Sequence, residues 1–134
     1  MAQEMVVKDA LSSEMISAGE ELTRRLDKAR FKVTGSLWFY IPDSNVWRMI
    51  IVSPKVGIDG PAKSYKKVRS VISHIPDDMP KIYLKDITVV DPKDPLISLL
   101  RKATKTGSGI SGSRFSRSAI NGVFVEDAYI YRMT

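Results

Sequence analysis

Residues 31–54 read FKVTGSLWFYIPDSNVWRMIIVSP. Two runs of β-branched and aromatic residues flank the turn-forming Pro42-Asp43-Ser44-Asn45, which predicts a β-hairpin. Along its strands Trp38, Tyr40 and Trp47 share one face with Met49 and Ile51, while Leu37, Phe39 and Ile50 occupy the other. A strand apolar on both faces is covered on both, either in the middle of a packed sheet or beneath a partner. Trp38, Tyr40 and Trp47 are therefore either core residues or the face that meets a protein partner or a second copy of the chain.

Outward from this hairpin, the apolar spacing predicts helices. Met15, Ala18, Leu22, Leu26 and Ala29 recur at steps of three and four, giving a helix over 13–30 with Ser17 and Glu20 as a capping box. A weaker helical turn is expected near 6–11. After the hairpin, KVGIDGP reads as a loop delivering Pro61 to the start of a helix over 61–75. In that helix Tyr65, Val68, Ile72 and Ile75 form the buried stripe, while Lys63, Lys66, Lys67 and Ser70 face outward. Pro76 to Pro80 break the chain before an expected strand, KIYLKDITVV, over 81–90. A further helix is punctuated by Asp94 as N-cap, Pro95 at its first position and Gly107 just past its end, with Leu96, Leu99, Leu100 and Ala103 as its core face.

The last 21 residues before Thr134 make a second hairpin around Asn121-Gly122, because a tight type I′ turn needs two positive φ angles. That turn would set Arg117 opposite Glu126 and Ser116 opposite Asp127. The element order is αββαβαββ, which predicts one α+β domain over 1–134. It would be a two-layer sandwich of three helices on a five-stranded sheet, mostly antiparallel or mixed. The chain has 134 residues, 43% of them hydrophobic and 27% charged, enough to bury a core and too apolar for a disordered chain. Cysteine is absent, which excludes disulfides, thiolate metal sites and cysteine nucleophiles and fits a reducing cytoplasm. The stretch MAQEMVVKDALSSEM has acids among its apolar residues, and no later stretch is apolar for long enough to span a membrane.

Gly107-x-Gly109-x-x-Gly112 spells a dinucleotide fingerprint in the wrong place. Such glycines must follow a strand and open a helix, whose N-terminus holds the phosphates. Here they follow a helix and precede a strand, so they read as helix end and turn, or as a Gly/Ser loop able to hold a phosphate of RNA or DNA. Pro76-Asp77 with Asp91-Pro92-Lys93 imitates a metal-dependent nuclease signature. Ten extended residues at about 3.3 Å each would keep those acids about 30 Å apart, however. His74 is the single histidine and reads as a solvated or capping residue. Adjacent Glu126 and Asp127 point to opposite faces of a strand and do not make an acid–base pair.

Charge distribution is the strongest functional signal. Residues 1–60 carry eight Lys or Arg against eight Asp or Glu, and residues 61–134 carry thirteen against seven, so the net +6 lies in the second part. Clustered cations attract polyanions. The expected function is that of a small non-enzymatic binding domain that needs no cofactor and no metal. It would contact the backbone of RNA or DNA through Lys63, Lys66, Lys67, Arg101, Lys102, Lys105, Ser108, Ser111, Arg114 and Arg117, positioning rather than reading sequence. The alternative is a protein-interaction or accessory subunit docking, or forming a homodimer, through Trp38, Tyr40 and Trp47. Neither reading involves a membrane.

Overall fold

The computed structural model describes residues 9–120 and 122–134. Its regular elements are helix α1 (Ser13–Lys28), strands β1 (Gly35–Ile41) and β2 (Val46–Val52), helices α2 (Lys55–Asp59) and α3 (Pro61–Ser73), strand β3 (Ile87–Val90), helix α4 (Pro95–Ala103), and strands β4 (Ser113–Ile120) and β5 (Val123–Met133). The strands form one mixed sheet in the order β3-β2-β1-β5-β4, and the class is α+β. All neighbours are antiparallel except β2 and β3, a parallel pair that needs a crossover, which α2 and α3 supply.

The first hairpin lies at the centre of this sheet, which is why both of its faces are apolar. Trp38, Tyr40, Met49 and Ile51 pack with Leu22 and Leu26 of α1 and Val68 of α3. Leu37, Ile50 and Val52 pack on the other side with Ile130 and Met133 of β5 and Ile97 and Leu100 of α4. The expected two layers are those of α1 and α3 on the sheet, and α4 adds a helix to the opposite face. Leu22 and Leu26 are fully buried, each stabilising the fold by about 1.5–3 kcal/mol.

Several local expectations are corrected. Ser12, not Ser17, caps α1: its Oγ accepts the Met15 N–H at 3.1 Å, because the helix starts a turn before Ser17. The turn expected near 6–11 lies largely outside the described residues, and residues 9–11 carry no helix. KVGIDGP is helical over α2, since Ser53 Oγ accepts the Lys55 N–H at 3.1 Å and Gly60, at φ 87°, closes the turn. Only the last four residues of KIYLKDITVV pair as a strand. Arg48 holds the preceding chain, donating to the Lys85 and Ile87 carbonyls at 3.0 Å each and to Thr88 Oγ1 at 2.8 Å. Helix α3 stops at Ser73, and Ile75 is buried just beyond it.

Asp94 caps α4 as expected, accepting the Leu96 and Ile97 amides at 3.0 and 3.3 Å. Gly107 does not end this helix. It stops at Ala103 with Thr104 in extended backbone, and the buried stripe falls on Ile97 and Leu100 while Ala103 is exposed. In the second hairpin the register is the expected one, with Ser116 opposite Asp127. Gly122 has φ 81°, as the second position of a type I′ turn requires; Asn121 lies outside the described residues.

A bulge opposite Ser36 and Leu37 shifts the β1–β5 register, so two consecutive residues of β5 reach α1 where alternation would send only one. Tyr131 donates its hydroxyl to the Ile16 carbonyl at 2.6 Å, and Arg132 grips Asp27 with two bonds of 2.8 Å. Burial of the Tyr131 phenol pushes its pKa well above the ordinary value, so the ring is a neutral donor. The Tyr131 hydroxyl occupies the space where a side chain at Gly19 would begin. Gly→Ala in a helix interior ordinarily stabilises by about 1 kcal/mol. Here Gly19→Ala is expected to lower stability by about 1–3 kcal/mol through overpacking, measured as a drop in the urea midpoint; a rise would refute this packing.

Candidate functional site

Loop 29–34 between α1 and β1 is built on a helix stop. The Phe31 amide donates to the Leu26 carbonyl and the Arg30 amide to the Asp27 carbonyl, each at 3.0 Å, the paired bonds of a Schellman cap. Phe31 and Leu26 join the same core cluster, completing the hydrophobic contact that accompanies such a cap. Arg30 therefore takes the left-handed position, φ 59°, which glycine ordinarily fills, and Lys32 follows with φ 58°.

Beside this loop α2 and α3 turn a row of cations toward a cleft of about 450 Å³. Arg30, Lys55, Lys63, Lys66 and Lys67 line it, with Asp59 as the one carboxylate among the described residues. None of these five cations, nor Lys32, has an ion-pair partner among the described residues. Outside the cleft, Arg24 and Arg25 are bonded to Glu20 and Glu21, Lys81 to Asp77, and Arg132 to Asp27, while Lys28, Arg69, Lys85, Lys93, Lys102 and Lys105 also have no ion pair among the described residues, so it is convergence on one cleft that sets the five apart. Unpaired like charges around a concave, low-dielectric wall concentrate positive potential there. Among the described residues Phe31 is the one aromatic lining the cleft and is buried, so these residues offer no stacking platform for bases.

The expected site residues divide. Lys63, Lys66 and Lys67 line this cleft, on the outward face of α3 as the spacing predicts. Ser108 lines a neighbouring cavity that also includes Arg30 and Lys32. The other expected contacts lie elsewhere or are occupied. Arg101 donates to the Thr134 and Pro92 carbonyls at 3.0 and 3.1 Å, and the Ser111 hydroxyl donates to the Tyr131 carbonyl at 3.1 Å. Lys102 and Lys105 are exposed. Arg117 is 82% exposed, with Glu126 at 3.7 Å. Arg114 makes a bidentate pair with buried Asp127 at 2.5 and 2.7 Å and lies 5.6 Å from the Trp47 ring centre. That carboxylate raises the guanidinium's pKa.

Trp38, Tyr40 and Trp47 are 3%, 4% and 7% exposed, which corrects their reading as a partner face. Their polar atoms are satisfied too: the two indoles donate to the Met15 and Asp9 carbonyls at 3.0 and 2.8 Å, and Tyr40 Oη donates to Asn45 Oδ1 at 2.5 Å. The residues that spacing missed are Arg30, Lys32 and Lys55. Lys55 is a single cation in a short helix, and Arg30 and Lys32 alternate with Ala29 and Phe31 in a stretch whose positive charge the acids of residues 1–60 balance, so net charge does not mark them.

The remaining motifs have structural explanations. Gly107, Gly109 and Gly112 lie between α4 and β4, and none has positive φ. Gly112 is needed because the Tyr129 hydroxyl occupies its side-chain space. Asp77 is engaged by Lys81 at 2.6 Å, and Asp91 accepts the Lys93 amide at 2.8 Å. His74 caps α3, its Nδ1 lying 2.7 Å from the Ser70 carbonyl. A larger cavity of about 500 Å³ lies toward the other end of α1, where the described lining sets Asp9, Glu14 and Asp86 against Lys81, itself paired with Asp77, an excess of acid that disfavours phosphate.

No protein-family model, curated protein or solved structure matches the chain. Among the described residues no helix is long and apolar enough to cross a membrane. Fold and site together define an α+β domain with a basic cleft between the end of α1 and the outer face of α3.

Arg114 is expected to act on stability before it acts on any ligand. Arg114→Ala takes two hydrogen bonds and the facing charge from the buried Asp127 carboxylate, which still accepts the Ser116 hydroxyl at 3.3 Å; breaking a fully buried pair costs about 3–5 kcal/mol. Because the Arg114 side chain is 45% exposed, water screens part of this and the expected loss is about 1–2 kcal/mol. Chemical denaturation measures it. An unchanged midpoint would mean that the pair contributes nothing.

Proposed function

We propose that the protein is a non-enzymatic nucleic-acid-binding domain that holds the phosphate backbone in the cleft between α1 and α3. One observation carries this reading: Arg30, Lys55, Lys63, Lys66 and Lys67 converge on a single cleft, and none of them has an ion-pair partner among the described residues. Unneutralised cations in a concavity are what a polyanion requires, because each phosphate they replace releases condensed counterions. The lack of an exposed aromatic among the described residues of the cleft favours contact with backbone rather than with base edges. A chain without cysteine suits a reducing, cytoplasmic setting for such work.

Fluorescence anisotropy with labelled RNA and DNA tests the proposal. Three or four phosphate contacts predict that raising salt from about 50 to 200 mM weakens binding on the order of 10- to 100-fold. The triple substitution Lys63→Ala, Lys66→Ala and Lys67→Ala is expected to lower affinity at least about tenfold and flatten the salt slope by two to three units. Its melting midpoint should hold, since all three side chains are exposed. Wild-type protein that binds no nucleic acid at low salt would end this reading.

A further inference from the structure

The neighbouring cavity of about 450 Å³ shares Arg30 with the basic cleft and adds Lys32 and Ser108. Its other charged residues, Asp27 and Arg132, neutralise each other through two bonds of 2.8 Å, so the free charge left in this cavity is positive. We infer that the two cavities form one track, with Arg30 at their junction, and that the ligand is a continuous nucleic-acid strand engaging at least two consecutive phosphates. The inference rests on the phosphate-binding reading above and narrows it to exclude an isolated phosphate or a small phosphorylated molecule.

Backbone conformation supports the same assignment independently. Two of the four described non-glycine residues with positive φ are Arg30 and Lys32, and they are cations two positions apart in one loop. Side chains other than Gly, Asn or Asp are unfavourable in this region, and a Schellman cap normally takes glycine there. Neither side chain has a hydrogen bond or ion pair among the described residues that would repay the cost within the fold. The Schellman bonds hold Arg30 in this conformation, and left-handed non-glycine residues cluster at binding sites; both of these line the cavities.

The test uses labelled oligothymidylates of increasing length with the full chain, inorganic phosphate as competitor, and the variants Arg30→Gly and Lys32→Gln. Affinity is expected to climb with length until one strand spans both cavities, and phosphate at matched phosphate concentration should not displace it. Lys32→Gln should weaken the long strand about three- to tenfold and leave the shortest unaffected. Arg30→Gly should weaken both, while its thermal midpoint rises by about 2–5 °C because the left-handed position now holds glycine. If Lys32→Gln binds the long strand like wild type while Lys66→Ala with Lys67→Ala loses it, the second cavity is not on the path and the first cleft stands alone. Wild-type protein that binds no strand of any length overturns the track and the function together.

Discussion

The guanidinium of Arg132 is the interaction on which the working parts of this molecule converge. Its side chain is 6% exposed. It donates twice to the Asp27 carboxylate on α1, once to the Val33 carbonyl at 3.0 Å in the loop that follows, and once to the Gly109 carbonyl at 3.3 Å before β4. One planar, permanently charged fork thus joins a helix end, a loop and a glycine-rich segment to the central sheet. An arginine buried this deeply is tolerable only when its donors are matched. Among the described residues no buried side-chain nitrogen or oxygen lacks a partner.

That convergence has a geometric cause. The bulge in the β1–β5 pairing lets Tyr131 and Arg132 both reach α1, one near its first turn and the other near its last. A regular strand would have pointed one of them away. Ser36, at the bulge, is buried and lies 2.6 Å from the Thr23 hydroxyl on α1, so the irregularity is closed by its own hydrogen bond. With both ends of α1 fixed, the loop carrying Arg30 and Lys32 has a defined course, and α3 has a fixed neighbour against which to form a cleft.

The chain separates charges that hold the fold from charges left free. Arg114 locks β4 to β5 through Asp127, Arg48 fastens the approach to β3, and Arg132 ties α1 to β5. Lysines dominate the free set on α2 and α3. The division follows side-chain chemistry: a guanidinium matches carboxylates and carbonyls in fixed planes, whereas an ammonium on a flexible stem is a solvated point charge suited to phosphate. Arg30 and Arg69 depart from this division, since neither guanidinium is bonded to an acid among the described residues, and Arg30 alone of the two sits in left-handed backbone.

Periodicity and punctuation marked most of the regular elements of this protein, though not the cap of α1, the short helix α2 or the end of α4. The double-faced hairpin had to be covered on both sides, by the sheet's own layers or by a partner, and the fold places it at the sheet centre. Asp94-Pro95 fixed the start of α4, and the Asn121-Gly122 spacing gave the register that sets Ser116 against Asp127. The outward row Lys63, Lys66 and Lys67 was legible for the same reason, a helical repeat of charge against a buried stripe. What no local pattern encodes is which distant residues become neighbours. Arg114 and Arg132 look alike in a sequence; only the fold gives one Asp127 and the other Asp27. Only the fold, likewise, buries the indoles of Trp38 and Trp47 against backbone carbonyls, brings Arg30 and Lys55 beside α3, and sets Lys32 in the adjoining cavity with Ser108. Short-range spacing determines helix, strand and turn, because those depend on backbone contacts a few residues apart. Pairing of charges and the shape of a cleft depend on contacts tens of residues apart, and these exist only once the chain has packed.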